Sequence, residues 1–378
     1  MEAVDVDILV LNHNGRALLA ECLPTVLTAA ARSRHDCRVT VVDNASRDDS
    51  VEFTTREFSS VAVVRMPNLG LVSFNAASAA CTSRVVLLLN NDIALDESAI
   101  DPLVEPFLAC DHGDEPVFMT TPRCRLFDGI THEGFKTAVR WRRGLVQATA
   151  HFPGAEQAAD LPSETASSGA VIAVDRQVFL DLGGFDPLYL PGRIEDLDLC
   201  FRAFTAGYRA LYVPDSLARH KGAATFGPTF GNSENLRLAH RNTLLFQWKN
   251  LRLLRHRLCH ACWLPVRLTY DAASSLGRKP ADRFAFWRAW REARTIWKRQ
   301  TANGSCAETT SDVAPRREAE FFSRFTPGRL AAPQVVDESN IQNWHAGEQR
   351  RARALSIGPI LPTSPRRVRG LGIEPHTN

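Results

Sequence analysis

No apolar run in the chain of 378 residues approaches the ~18 consecutive residues of a membrane-spanning helix. The first residues, MEAVDVDILVLNHNG, have neither a basic start nor a long apolar stretch, so the sequence is read without a secretory leader. A dominant charge is missing as well. The 45 Lys and Arg nearly balance the 42 Asp and Glu, and a net charge of +3 is too small to argue for nucleic acid as a partner. The nine cysteines are scattered. Only Cys259 and Cys262 have CxxC spacing, with no second pair at a zinc-like distance, so free thiols in a cytosolic protein are expected. What is present, 44% hydrophobic and 23% charged residues, describes an ordinary globular chain with room for one large domain and an appendage.

The small net charge hides an uneven distribution. Lys249 to Arg299 carries thirteen Lys and Arg against three acidic residues (Asp271, Asp282 and Glu292), so the rest of the chain is net acidic. The front third alternates short apolar runs with helical patterns. The runs are Val6–Leu11, Val39–Asp43, Val61–Arg65 and Val85–Leu89, and Ala17–Ala31, Asp49–Phe58 and Leu71–Ala80 have helical spacing. This alternation predicts βαβ units and a mostly parallel sheet, in which ligands bind beyond the carboxyl ends of the strands. Three runs end in polar residues: Asn12-His13-Asn14, Asp43-Asn44-Ala45-Ser46 and Asn90-Asn91-Asp92. Ser46 with Asp49 reads as a capping-box variant at a helix start.

The middle of the chain predicts strands at Phe118–Thr121, Ala170–Val174 and Ala210–Val213. A turn-rich GGFDPLYLPG leads into the helical EDLDLCFRAFTAGY, with Glu195 and Asp196 at its start and Gly207 at its end. Asp198 is placed to support Arg202 at i,i+4. From Asn235 to about Arg299 the pattern is helical and basic, and after Thr301 the periodicity fades. The expected organisation is a catalytic domain over 1–234, a basic helical extension over 235–300 and a mostly disordered tail over 301–378.

The stretches ILVLNHNG, VVDNASRDDS, NLGLVSFNAA, LLLNND, SSGAVIAV and GGFDPLYLPGRIEDLDLCFRA, followed by His220, resemble in order the motifs of family 2 glycosyltransferases, particularly the rhamnosyltransferase-like branch. The likeness covers about residues 4–250. It implies a GT-A type α/β fold, a nucleotide-diphosphate sugar donor, a divalent cation (Mg2+ or Mn2+) and inversion at the anomeric carbon. Chemistry independently explains why a buried strand such as VVLLLNND should end in amides and a carboxylate. Sugar transfer expels a diphosphate whose charge must be neutralised, and a hard cation on carboxylate and phosphate oxygens does this.

By this resemblance Asp92 is the last acidic residue of a DxD-type motif whose first Asp is replaced by Asn90, and His220 supplies a second metal ligand. Asp43 resembles the aspartate that meets the base or ribose. Asn68, Gly70 and Asn75 resemble a stretch near the nucleotide, and Asn12, Asn14, Asn44 and Asn91 at the strand tips join them as nucleotide-sugar contacts. Family members carry an aromatic residue where His13 stands. Gly169 resembles a backbone position that lets the sugar or acceptor approach. Asp196 is expected to be the general base and Glu195 to position. Adjacent carboxylates raise one pKa while a helix N-terminus lowers both, and the sequence leaves the net sign open.

Two other readings are carried: a sugar-phosphate nucleotidyltransferase, and a non-catalytic nucleotide-sugar-binding protein. The first wants a Gly-rich loop with Arg and Lys after the opening strand, where NHNGRALL stands instead. The second draws on Asn90 and His13, and the intact Asp92, Glu195, Asp196 and His220 weigh against it. The acceptor is expected to be a glycan or a lipid-linked molecule. The basic third either lies against an anionic membrane or packs on the core as a helical extension. The expected location is cytoplasmic, with peripheral contact at the inner face of the cell membrane.

Overall fold

The computed structural model describes residues 3–109, 115–134, 136–222, 226–277, 283–302 and 313–332. Of the two units into which the chain divides, residues 1–333 and 334–378, the second lies outside the described residues.

The four apolar runs form strands β1 (Asp5–Asn12), β2 (Asp36–Asn44), β3 (Ala62–Met66) and β4 (Val85–Asn90), linked by helices α1 (Arg16–Arg32), α2 (Ser50–Glu57) and α3 (Ser73–Ala80). Then come β5 (Ile93–Leu95), α4 (Ile100–Leu108), β6 (Val117–Leu126), β7 (His132–Gly134), β8 (Ala138–Arg142), β9 (Leu145–Thr149), β10 (Ser163–Glu164) and β11 (Val171–Asp175). Helices α5 (Arg176–Asp181) and α6 (Glu195–Thr205) precede the long strand β12 (Arg209–His220). Helices α7 (Phe226–Asn250), α8 (Leu254–Ser274), α9 (Ala285–Ala302), α10 (Val313–Arg324) and α11 (Pro327–Ala331) follow.

One ten-stranded sheet runs β10-β12-β6-β11-β4-β1-β2-β3, with β5 on β12 and β7 on β6, while β8 and β9 pair as a hairpin. Strands β4, β1, β2 and β3 are mutually parallel, and β11 is antiparallel to both neighbours. The parallel order 3-2-1-4 reverses its winding between β1 and β4. Such a switch point opens a crevice beyond the strand ends, and Asn12 and Asn90 stand at its two sides.

Alternation along the strands builds two cores. Val6, Ile8 and Val10 of β1 join Val85, Leu87 and Leu89 of β4 against α1 and α4. Leu9, Val86 and Leu88 point the other way, toward Phe74, Phe179 and Leu199 on α3, α5 and α6. Each side chain of this kind contributes roughly 1.5–3 kcal/mol on burial, which explains why the runs are continuous in apolar residues.

Three sequence expectations change in the structure. Ser46 does not cap α2. Its hydroxyl accepts from the Asn14 amide at 2.9 Å, and Asp48 receives the Ser50 N–H instead. The boundary expected between residues 234 and 235 falls inside α7. Leu244, Leu245 and Phe246 of that helix share an apolar cluster with Phe201 and Phe204 of α6. Within the tail expected to be disordered from residue 301, α10 and α11 are ordered because Phe321 and Phe325 stack on Phe201 and Phe204, with centroids 5.0 and 5.5 Å apart. Residues 303–312 and 333–378 of that tail lie outside the described residues.

Asp198 locks α6 to α7. Its fully buried carboxylate accepts from the Tyr189 hydroxyl (2.7 Å), Arg202 (2.7 Å), Lys249 (2.9 Å) and Asn250 (2.7 Å). Burial pushes its pKa up, but Arg202 and Lys249 outweigh that and hold it below the usual aspartate value. The stabilisation is therefore present above the unfolded-state pKa of about 4 and is lost as pH falls through the lower folded value. Asp198→Ala leaves Arg202 without its carboxylate, removes one of the two carboxylates on Lys249, and is expected to cost about 3–5 kcal/mol in urea unfolding. A loss under 1 kcal/mol would refute the lock.

Candidate active site

Parallel register places Asn12 opposite Asp43 and Leu11 opposite Asn90, so the polar tips line one edge of the sheet. The tips are tied to each other. Asn91 Nδ2 donates to Asn12 Oδ1 (2.7 Å), and Asn12 Nδ2 donates to Asp43 Oδ1 (3.2 Å) and Ser46 Oγ (3.1 Å). Asp43 Oδ2 accepts from the Ser46 N–H at 3.1 Å. Asp43 is almost wholly buried, yet a carboxylate has about four acceptor positions, and two remain. Asn44 Nδ2 donates to the Gly70 carbonyl, and Asn44 Oδ1 is buried without a partner among the described residues. His13 is pinned, donating from Nδ1 to the Asn44 carbonyl at 2.7 Å, with Asn14 Nδ2 on its other nitrogen. Gly15 closes this corner. A Cβ there would lie 2.0 Å from Asn91 Nδ2 and 2.5 Å from Asn12 Oδ1, so space admits no side chain.

Asn14, Asn68 and Gly169 face solvent at the same rim. Asn68 Oδ1 accepts from the Gly70 N–H, shaping a turn in which Gly70 has φ +54. Gly70 also lies against the Pro191 carbonyl, which brings this loop to the segment before α6. Asn75 is a correction. Its Oδ1 accepts from Phe185 N and its Nδ2 donates to Phe185 O, both at 2.9 Å, so the amide ties down the Gly183–Phe185 turn rather than facing a donor.

A second cluster begins at the β4–β5 turn. Asp92 Oδ2 lies 3.2 Å from His220 Nε2, at the end of β12. His220 Nδ1 lies 2.6 Å from Glu133 on β7. Burial would depress the imidazolium, but hydrogen bonds to Asp92 and Glu133 outweigh it and raise its pKa to about 9. Cys124 donates its S–H to Glu133, and burial pushes that thiol far above its ordinary value, so it serves as a donor and not as a thiolate. Asp92 Oδ1 is buried and has no partner among the described residues. An orphaned carboxylate oxygen beside an imidazole nitrogen fits a divalent cation. Glu133 then orients the ring by accepting from Nδ1–H, which leaves Nε2 to the cation.

The third cluster starts α6. Arg193 and Ile194 have φ of +82 and +74, a conformation that costs a β-branched residue of order 1–3 kcal/mol. This turn is held from α7. Buried Asn242 Nδ2 lies 2.7, 2.8 and 2.8 Å from the carbonyls of Tyr189, Gly192 and Arg193. Arg241 Nη2 donates to the Leu190 carbonyl and Nη1 pairs with Glu292 at 2.7 Å. The turn presents Glu195 and Asp196. Desolvation, and then the charge of Asp196, push Glu195 up to about 8, and Glu195 Oε2 is buried without a partner among the described residues. Desolvation also raises Asp196, opposed by the Leu197 N–H and the Ser167 hydroxyl. Ser167 leads through Gly169 to Ala170, whose carbonyl accepts from Asn90 N. That short segment joins the carboxylate pair to the strand tip.

Sequence reading gave no site role to Glu133, Ser46, Ser167, Gly15 or Asn242, and took Ser46 for a helix cap. The first four act through contacts distant in sequence. The Arg241-Asn242 pair was legible only as part of the polar run His240-Arg241-Asn242-Thr243 on a helix.

A switch-point crevice with amides and carboxylates at parallel strand tips, and a carboxylate pair at the start of a helix beyond them, describes an α/β fold of GT-A type. The profile described as "Glycosyltransferase like family 2" matches residues 5–243, and the chain belongs to that family. It is 26% identical over 147 residues to a putative polypeptide N-acetylgalactosaminyltransferase 10 of Drosophila melanogaster, covering 37% of this chain and 22% of the relative. It is 30% identical over 149 residues to the pre-mycofactocin glycosyltransferase of Mycobacterium tuberculosis, covering 39% of this chain and 28% of the relative. The chain thus spans about a quarter of the length of these curated relatives. Among solved structures it is similar to GalNAc-T7 with UDP, GalNAc and Mn2+ (TM-score 0.49, 18% identity, 72% of this chain and 58% of that one).

Glu133→Ala is expected to weaken Mn2+ binding about 10–100-fold, read from the electron paramagnetic resonance of free Mn2+ without any sugar donor. Glu133→Gln, which keeps an acceptor, should recover part of the loss. Unchanged affinity in both variants would remove Glu133 from the site.

Proposed function

We propose that the chain is an inverting glycosyltransferase that moves a sugar from a nucleotide-diphosphate donor to a hydroxyl of a glycan or lipid-linked acceptor. What supports this reading is the Asp92–His220 contact after β4 together with the Glu195–Asp196 pair at the start of α6, in a family whose profile spans both. The rhamnosyltransferase-like branch is part of the proposal and rests on the segment GGFDPLYLPGRIEDLDLCFRA.

Asn14, Asn68 and the backbone at Gly70 meet the nucleotide, with the free acceptor capacity of Asp43 available for a base N–H or ribose hydroxyl. Asn12, Asn44 and Asn91 hold the rim in shape behind them. Gly169, where an added Cβ would meet nothing within 4 Å, leaves room for the sugar or acceptor. Asp92 and His220 would hold a divalent cation, Mg2+ or Mn2+, whose charge when bound neutralises the diphosphate oxygens. Asp196 takes the proton of the acceptor hydroxyl as that oxygen bonds to the anomeric carbon. The carbon–oxygen bond to the diphosphate breaks, and its electron pair leaves with the diphosphate. Glu195, protonated near neutral pH, then leaves Asp196 as the charged member of the pair. A second reading gives the base role to Glu195, because its Oε2 is unpartnered and its pKa lies near 8.

Asp92→Ala is expected to abolish transfer while the apo melting temperature holds, and near wild-type turnover at saturating metal would overturn its assignment. Asp196→Asn is expected to lower kcat by ~10²–10⁴ and spare donor Kd. Glu195→Gln decides between the two bases. With Asp196 as base, rate should climb with pH through a limb raised above the ordinary aspartate range, and Glu195→Gln should keep it. With Glu195 as base, the limb lies near 8 and disappears with that substitution.

A further inference from the structure

The basic third separates into two faces. Trp248, Trp290 and Trp297 pack on the aromatic cluster, as a helical extension should. Helix α8 does the reverse. Leu254 and Leu258, then Val266 and Tyr270, form two i,i+4 pairs on its outer side, with Trp263 beside them, and Phe284 is exposed after the helix. These six are 37–68% exposed and make up six of the eleven large apolar side chains exposed among the described residues. A surface helix normally turns such residues inward and charges outward, and a continuous exposed apolar stripe marks an interaction surface.

The charges around the stripe have one sign. Arg255 and Arg257 are exposed on α8, and Asp271, the acidic residue of that helix, is buried. The turn of the β8–β9 hairpin sits on the same helix. A Cβ on Gly144 would lie 2.5 Å from Trp263 Cβ, so exposed Arg142 and Arg143 stand next to that tryptophan. No helix among the described residues is long and apolar enough to cross a membrane. The stripe therefore has the composition of an element lying in a lipid interface, with apolar side chains in the acyl boundary and arginines at the headgroups.

We propose that the outer face of α8, with the Arg142–Arg143 turn, docks the protein on an anionic lipid surface. The docking needs no sugar donor, so it stands or falls separately from the transfer reaction.

The experiment is sedimentation of the full chain with vesicles of phosphatidylcholine alone or mixed with phosphatidylglycerol. Strong binding to the anionic vesicles is expected, weakened by salt. Arg142→Gln with Arg143→Gln should lower anionic-vesicle affinity about fivefold per arginine and leave the weak binding to phosphatidylcholine unchanged. Trp263→Ser with Val266→Ser should weaken both. Circular dichroism melting of each variant checks folding, and Leu258→Gln serves as a milder replacement if the double serine variant melts early. Equal and negligible sedimentation with both vesicle types would overturn the proposal. So would a concentration-dependent dimer in analytical ultracentrifugation that the serine substitutions abolish while vesicle binding is absent.

Discussion

The side-chain amide of Asn242 is the contact on which the rest of the site depends. It is buried on α7 and meets three carbonyls of a turn that two non-glycine residues enter with positive φ. Such a turn does not persist by itself, because left-handed backbone at an isoleucine is opposed by its own Cβ. It persists where surrounding bonds over-determine it. Release of that amide would relax the turn and swing Glu195 and Asp196 from their place at the start of α6. Helix α7 is therefore part of the structure that shapes the start of α6, and the family profile, which runs to residue 243, includes Asn242.

The same logic holds at the turn after β4. Asp92 stands at a strand tip, but its partner His220 arrives from the far end of β12 and Glu133 from a three-residue strand paired with β6. The usual paired carboxylates of a DxD motif are here reduced to one, since Asn90 occupies the first position. A carboxylate brought by a different strand offsets that loss by fixing the ring that faces Asp92. Strain at one end and an orphaned carboxylate oxygen at the other fall where sequence and local preference disagree, and such disagreements gather at functional sites.

The amphipathic helices divide the labour of the chain's back third. Helix α9 turns Phe286 and Ala289 inward and contributes Glu292 to the arginines of α7. Helix α8 turns His256, His260 and Asp271 inward with Leu264 and Leu268, and leaves Leu254, Leu258, Val266 and Tyr270 outside. His256 sits 2.5 Å from Glu318, and Asp271 accepts from the Phe286 and Trp287 amides. The helix is thus fixed by polar contacts, which frees its apolar side for a surface.

The sequence by itself determined the parallel βαβ half, because burial on both faces demands unbroken apolar runs and their ends must be polar. The order of its motifs, by resemblance to the family, also singled out Asn12, Asp43, Asp92, Glu195, Asp196 and His220 as candidates for chemistry. It gave no sign that Asn75 would turn away to hold Phe185, that Ser46 would serve β1 rather than α2, or that residues 313–331 would fold onto α6. Those outcomes belong to the tertiary structure alone. Each depends on a partner 30 to more than 100 residues away, as Asn14 N with Ser46 and Phe185 N with Asn75 illustrate. A side chain's local pattern states what it can bond, and only packing decides which candidate reaches it first.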